Sequence, residues 1–235
     1  PRGAPFICLN ATDGSLIWEI DGAFRQTRWG GRAIIGDSII ATMDTYDQRV
    51  YAIGKGPSAI TLSAPDIAAP FNTPVIIKGT LTDLSPGTND ETLAMRFPDG
   101  VPVVSDESMS DWMLYVYKQF SRPTEATGVL ISIDATDPNG NYVHIGDTTS
   151  DASGKFHFTF KPELAGDYTI FATFGGSKSF YPAFTETAMT VMEAEPTPTT
   201  TAAVTNPPYE LYTIGTGIAI IVAIALAVLL IRRKP

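Results

Sequence analysis

Between Glu210 and Arg232 the chain runs for 21 residues without a charge, LYTIGTGIAIIVAIALAVLLI, from Leu211 to Ile231. As a helix rising 1.5 Å per residue, this run is roughly 31 Å long, about the hydrocarbon thickness of a bilayer. It lacks the polar stripe that a helix on the flank of a soluble core carries. A transmembrane helix over 209–231 is therefore predicted, with Tyr209 and Tyr212 at one interface and Arg232, Arg233 and Lys234 beyond the other. Basic residues mark the cytoplasmic side. Everything upstream is then extracellular, and only a tail of four residues, 232–235, lies inside.

The segment before the helix, 195–208, reads EPTPTTTAAVTNPP, and nine of its fourteen residues are Pro or Thr. Such a run cannot pack a core and is expected to be extended. It resembles O-glycosylated membrane-proximal stalks, which makes Thr197, Thr199, Thr200, Thr201 and Thr205 candidate acceptors. The net charge is −9, and setting aside the three cations at 232–234 leaves −12 for the rest. An acidic body lacks the clustered Lys and Arg that nucleic acid binding needs. The single cysteine, Cys8, excludes an intramolecular disulfide. A protein of this topology calls for an export signal, yet Pro1-Arg2-Gly3-Ala4-Pro5 has neither a charged start nor an apolar stretch. The expectation is that Pro1 is not the true start.

Residues 1–55 read as short strands joined by turns. Pro5 to Asn10 and Leu16 to Ile20 flank Asp13-Gly14, a strong hairpin signal. Ala33-Ile34-Ile35 and Ser38 to Met43 flank Gly36-Asp37, and Arg49 to Ile53 follows. Together they predict about one antiparallel sheet. CLNATDGSLIWEI (Cys8 to Ile20) resembles the tryptophan-docking repeat of pyrroloquinoline-quinone-like β-propellers: a small residue, an Asp two places on, then Gly, then Trp. Here these are Cys8, Asn10, Gly14 and Trp18, with Cys8 in place of Ala and Asn10 in place of Asp. The later VYAIG (Val50 to Gly54) resembles the start of the next repeat. The resemblance implies a partial blade whose Trp packs between neighbouring blades. One blade cannot cover both its faces, so further blades are expected upstream. Quinoprotein dehydrogenases of that fold hold pyrroloquinoline quinone and Ca²⁺ in a complete ring, and this chain supplies no ligands for either. Asn10-Ala11-Thr12 is also an N-glycosylation sequon, although a turn position favours a structural role.

Residues 56–194 predict an immunoglobulin-like sandwich. Seven strands are expected, at Ala59–Leu62, Val75–Asp83, Val129–Asp134, Tyr142–Gly146, Phe156–Phe160, Tyr168–Phe174 and Thr185–Met192. Phe156, Phe158 and Phe160 share one face and should fill the core, and Asn139-Gly140 should form a type I′ hairpin. TTSDASGKF (Thr148 to Phe156), with Gly166-Asp167-Tyr168 beyond it, resembles hairpins of prealbumin-like and bacterial immunoglobulin-like surface modules. Together with the blade motif and the anchor, the chain resembles large archaeal cell-surface proteins.

An insertion, 84–123, interrupts the sandwich. In it Ser105 should cap a helix with Asp106 and Glu107 in its first turn. Met109, Trp112, Met113, Val116, Tyr117 and Phe120 fall on one helical face. That face either covers a flank of the sandwich or binds a partner, since Met and aromatic side chains suit adaptable interfaces.

Nothing in the sequence assembles an enzyme site. His144 and His157 fall at outward strand positions, and no nucleophile elbow, P-loop or Rossmann fingerprint occurs. Asp134, Asp137, Asn139 and Asn141 have oxygen-ligand character, but Tyr142 stands where a Ca²⁺ loop needs Gly and Thr148 where it needs Glu. Polar turn chemistry is the first account of them, and a weak extracellular Ca²⁺ site is the alternative. The reading is a mainly β protein: a terminal propeller blade, an immunoglobulin-like sandwich with one inserted amphipathic helix, then a single transmembrane helix. It implies a cell-membrane protein with a non-catalytic envelope, adhesion or ligand-binding role and no cofactor of its own. Its partners would be the membrane and an extracellular protein or glycan. An anchored quinoprotein-type dehydrogenase with its active site in upstream blades, and a subunit of a self-assembling surface filament, are the alternatives.

Overall fold

The computed structural model describes residues 3–25, 32–193 and 209–232. Contacts divide the chain into two units, Pro1–Ala194 and Glu195–Pro235. The candidate stalk threonines and the residues after Arg232 lie outside the described residues.

The seven strands expected of the sandwich all form. One sheet has the order β12-β8-β6, from Lys155–Phe160, Val75–Asp83 and Ser58–Ser63, all antiparallel. The two-residue β9 (Val101–Pro102) adds to β8. The other sheet has the order β11-β10-β13-β14, from Tyr142–Thr149, Leu130–Thr136, Gly166–Phe174 and Ala183–Met192. A short parallel strand, β7 (Ala69–Pro70), joins the edge of β14. Alternation builds the core between the sheets. Ile77 and Leu81 of β8 meet Ile131 and Ile133 of β10 and Ile170 of β13 in one cluster, each fully buried. Phe156 and Phe160 are buried in the same cluster and Phe158 packs against it. Gly79 is required there: a Cβ would come within 2.2 Å of the Phe156 ring and of the Thr61 carbonyl.

Two turn expectations change. Asp137–Gly140 closes with Gly140 N–H donating to the Asp137 carbonyl, and only Gly140 has positive φ. That is a type I turn followed by a left-handed Gly, because Pro138 fixes a negative φ at the second position. Asp151–Gly154 closes the same way, but it carries the chain from β11 in one sheet to β12 in the other, so TTSDASGKF is a crossing and no hairpin. In both turns the Asp carboxylate accepts backbone N–H bonds, from Asn139 and Asn141 in the first and from Ser153 and Lys155 in the second.

Tyr168, near the start of β13, reaches back to its own preceding loop. Its hydroxyl donates to the Leu164 carbonyl at 3.1 Å and accepts from the Leu164 N–H at 3.0 Å. This is the tyrosine corner of immunoglobulin-like sandwiches. The sequence resemblance placed Gly166-Asp167-Tyr168 in a hairpin, and the structure shows its tyrosine making this corner.

The N-terminal strands form two small sheets instead of one. β1 (Ala4–Leu9) pairs with β2 (Leu16–Phe24), and β3 (Ile34–Gly36), β4 (Ile39–Asp44) and β5 (Arg49–Ile53) form the other. Where the ladder would have continued, the Asp44 side chain takes the Arg25 N–H at 2.9 Å. The first hairpin loop is also wider than Asp13-Gly14 alone. It runs from Asn10 to Ser15, with Asn10 and Asp13 side chains accepting the Thr12 and Ser15 N–H groups.

In the insertion, α1 is Glu91–Arg96 and α2 is Met109–Lys118. Ser105 does not cap α2: it bonds to Thr127, and Ser108 occupies the cap position but its hydroxyl accepts the Thr127 N–H instead of a helix N–H. The helix stops at Gln119, left-handed at φ 58, so Phe120 lies beyond it. In the second unit, α3 covers Tyr209–Arg232. Its 21-residue span Tyr212–Arg232 contains a stretch whose mean hydropathy reaches 2.9, without a polar stripe.

Replacing Tyr168 with Phe deletes both bonds to Leu164 and leaves a half-buried N–H and carbonyl without their partner. The expected loss is about 1–3 kcal/mol, read as a lower urea midpoint at unchanged m-value.

Candidate functional site

The part of the fold where unlike chemistry is concentrated is the junction between the N-terminal strands and α2. The apolar half of the junction is Ala23 and Phe24 at the end of β2 and Leu114 of α2, all buried, with Ile20, Tyr51 and Phe120 packed around them. Within this apolar contact sits an ammonium group. Lys118 is the last residue of α2, where a cation also suits the helix dipole. Its Nζ lies 2.6 Å from Asp44 Oδ2 and 2.9 Å from Asp47 Oδ2, with 8% of the lysine side chain and 4% of the Asp44 side chain exposed. The same nitrogen stands 3.8 Å from the centre of the Tyr51 ring and 5.0 Å from that of Phe24.

Each carboxylate is fully engaged. Asp44 Oδ1 accepts the Arg25 and Tyr46 N–H groups at 2.9 and 3.0 Å. Asp47 Oδ1 accepts the Arg49 N–H, and its Oδ2 accepts the Tyr51 hydroxyl as well as Lys118. Burial pushes both acids up, but the hydrogen bonds outweigh it: Lys118, Tyr46 and Arg25 for Asp44, and Tyr51, Lys118 and Arg49 for Asp47. Both are held below the ordinary carboxylate range. Burial, then the bond to Asp47, pushes the Tyr51 hydroxyl well above its usual value. No sequence pattern announced this site, because Lys118 meets Asp44 across 74 positions.

The second feature is the open face of the three-stranded sheet. Register places Ile35, Ile40, Ile53, Thr42, Tyr51 and Asp44 on one side, the side that meets α2. Ile34, Ala41 and Ala52, with Met43 and Val50, fill the other side. That side is wholly apolar yet uncovered among the described residues, with Ile34 70% and Val50 72% exposed. The β1–β2 pair is different: Phe6, Cys8, Trp18 and Ile20 share one side, while the exposed outward side mixes Ile7 and Ile17 with the charged Glu19 opposite Ile7. Trp18 lies over Phe6 at 5.8 Å between ring centres.

The other sequence candidates are placed as follows. Trp112 and Val116 are buried in a small cluster with Leu93, Val101 and Val104, and Met109, Met113 and Tyr117 pack on it. The α2 face is thus covered within the chain itself, and Leu114, off that face, makes the contact to the N-terminal strands. Asp106 faces the turn before β14, accepting the Lys178 and Ser179 N–H groups and the Ser177 and Ser179 hydroxyls. Burial raises its pKa, but those bonds prevail and hold it low. Asp137 is occupied by Asn139 and Asn141, whereas Asp134 bonds to His144 Nδ1 at 2.9 Å. The four candidate Ca²⁺ ligands therefore serve two separate polar clusters, and among the described residues no three His, Cys, Asp or Glu side chains converge. His157 is exposed on β12.

Two pH effects follow, of opposite sign. Asp44, Asp47 and Asp106 have depressed folded-state values, so their stabilisation is present above the unfolded value of about 3.9 and is lost as pH falls through the folded values. Acid unfolding should therefore set in below about pH 4, and Asp106→Asn should flatten that limb of a stability-against-pH curve. The bond to Asp134, chiefly, raises the His144 pKa. Its stabilisation is complete below about 6.5 and fades as pH rises through the folded value. In Asp134→Asn, the His144 ring resonances should titrate closer to 6.5 than in the parent protein. At the junction, Lys118→Met leaves Asp44 buried without its counter-ion, an expected loss of about 3–5 kcal/mol by chemical denaturation.

No protein-family model matches the chain, and no curated protein is similar to it. Among solved structures, the chain is similar to one described as "Structures of Clostridium thermocellum CbhA fibronectin(III)-like modules", at 13% identity and a TM-score of 0.33. The match covers 81% of this chain and 77% of that one. So loose a superposition extends no property of that protein to this chain. The immunoglobulin-like assignment stands on the strand order and the tyrosine corner.

Proposed function

We propose that this chain is the membrane-proximal part of a non-catalytic cell-surface protein, in which an immunoglobulin-like domain joins an array of stacked β-sheets to a C-terminal membrane anchor. The observation that carries the reading is the three-stranded sheet whose side of Ile34, Met43 and Val50 is apolar and uncovered among the described residues. Soluble proteins rarely leave such a face in water. A sheet patterned this way belongs between two neighbours.

The resemblance to the Trp-docking repeat suggests one kind of neighbour. In it, FICLN (Phe6 to Asn10) in β1 and VYAIG (Val50 to Gly54) in β5 take equivalent places. β1 has β2 as its antiparallel partner, whereas β5 is an edge. A further unit of the same repeat would supply both a strand for β5 and a sheet for the face of Ile34, Met43 and Val50. That is the propeller reading, with the partial blades here as its last members. The immunoglobulin-like domain, the stalk and α3 then hold the array off the membrane, with the basic end of α3 inside.

Two measurements test it. A photoreactive residue at position 50 in the native, membrane-extracted protein should crosslink to a segment bearing the same Trp-docking repeat, and an adduct with solvent alone would sink the stacked-sheet reading. Amine labelling of intact cells with a membrane-impermeant reagent should modify the exposed Lys78 and Lys155, whereas labelling only after lysis would reverse the orientation.

A further inference from the structure

The junction around Lys118 has the parts of an amide-forming site. We propose that Lys118 and Asp44 become joined by an intramolecular isopeptide bond, with Asp47 as the proton carrier. The geometry supplies a nucleophile, an electrophile, a place for the developing charge and a base.

The nucleophile is Lys118 Nζ, 2.6 Å from Asp44 Oδ2 and mostly shielded from water. The electrophile is Asp44 Cγ. Asp44 Oδ1 already accepts two backbone N–H groups, from Arg25 and Tyr46, at 2.9 and 3.0 Å. When Cγ becomes tetrahedral, negative charge collects on that oxygen, and two preset donors aimed at it form an oxyanion hole. The base is Asp47, whose Oδ2 lies 2.9 Å from the same nitrogen and is held by the Tyr51 hydroxyl. The Phe24 and Tyr51 rings line the site and keep its dielectric low. A low dielectric favours passing the ammonium proton to a carboxylate, which gives the neutral amine and acid that the reaction needs.

The steps balance. Lys118 Nζ gives one proton to Asp44 Oδ2, and the free amine attacks Cγ. A second proton passes from nitrogen to Asp47 and then to the departing Oδ2, which leaves as water. The C–N bond forms, the C–Oδ2 bond breaks, and Asp47 returns to its carboxylate. No oxidant or co-reactant is needed. Condensation of an amine with a carboxylic acid is poor in open water, but well-oriented intramolecular partners reach effective molarities of about 10⁵–10⁸ M. The ion pair is the state that precedes the bond, and the lowered pKa of Asp44 makes its protonation an uphill part of the sequence.

The bond would tie β4 to the end of α2 through covalent chemistry, 74 positions apart in sequence. It would make the link between N-terminal strands and sandwich permanent without a disulfide, in a chain whose only cysteine is Cys8.

The test is the intact mass of the full chain in detergent after incubation at neutral pH. The proposal expects a mass 18 Da below the sequence value and a branched tryptic peptide joining the segments of Asp44 and Lys118. Asp44→Asn should lose 17 Da instead, as ammonia. Lys118→Arg and Asp47→Ala should show the full sequence mass. An unmodified parent mass after long incubation overturns the proposal, whatever the variants do. A loss of 18 Da mapped to any other pair of residues overturns it equally.

Discussion

The contact between the N-terminal strands and α2 depends on one buried lysine. Lys118 carries a full charge into a contact otherwise made by Phe24, Leu114, Tyr51 and Phe120, and a bare ammonium there would be prohibitively desolvated. Asp44 and Asp47 remove that penalty, and each is in turn held by backbone N–H groups from its own turn. The arrangement fixes the N-terminal strands against α2 in one register, since moving the helix end by a single turn would strand three charges. Desolvation offsets much of a buried ion pair's attraction, so its presence says more about position than about net stability here. The pairing decides where the strand array meets the sandwich.

The insertion is the adaptor that makes this possible. Its α2 closes its own cluster around Trp112 on one side and meets the N-terminal strands through Leu114 and Lys118 on another. Asp106, just before the helix, secures the other end to the Ser177–Ser179 turn of the sandwich. A single segment is thereby anchored at both ends, to the strands by charge and to the sandwich by hydrogen bonds. The insertion also reaches the sandwich core, where Val103 is fully buried and Met109 packs alongside Ile77, Leu81, Ile131 and Ile170 between the two sheets. The role of the sandwich is that of a rigid support, and the chemical interest of the chain lies at the contact with the strands.

Much of the sandwich was legible because strand alternation and turn chemistry are local. Val75 to Asp83 announced β8, and Phe156, Phe158 and Phe160 announced an inward face, from neighbours two positions apart. The errors were also local in origin. Asn139-Gly140 suggested a type I′ turn until Pro138 and the Asp137 carboxylate are counted. Ser105 looked like a cap, but Thr127, far along the chain, claims its hydroxyl. The apolar face of α2 ran to Phe120 by helical spacing, whereas Gln119 adopts a left-handed conformation and ends the helix first.

By itself the sequence determined the apolar helix at 209–231, the seven strands and the short strands of the N-terminal segment. Length, hydropathy and alternation are properties of neighbouring residues. Only the tertiary structure decided which sheet each strand joined, that β1–β2 and β3–β5 remain separate sheets, and that Lys118 lies between Asp44 and Asp47. An ion pair formed across 74 positions leaves no periodic trace, because its partners are selected by packing in three dimensions and by the need to neutralise a charge away from water.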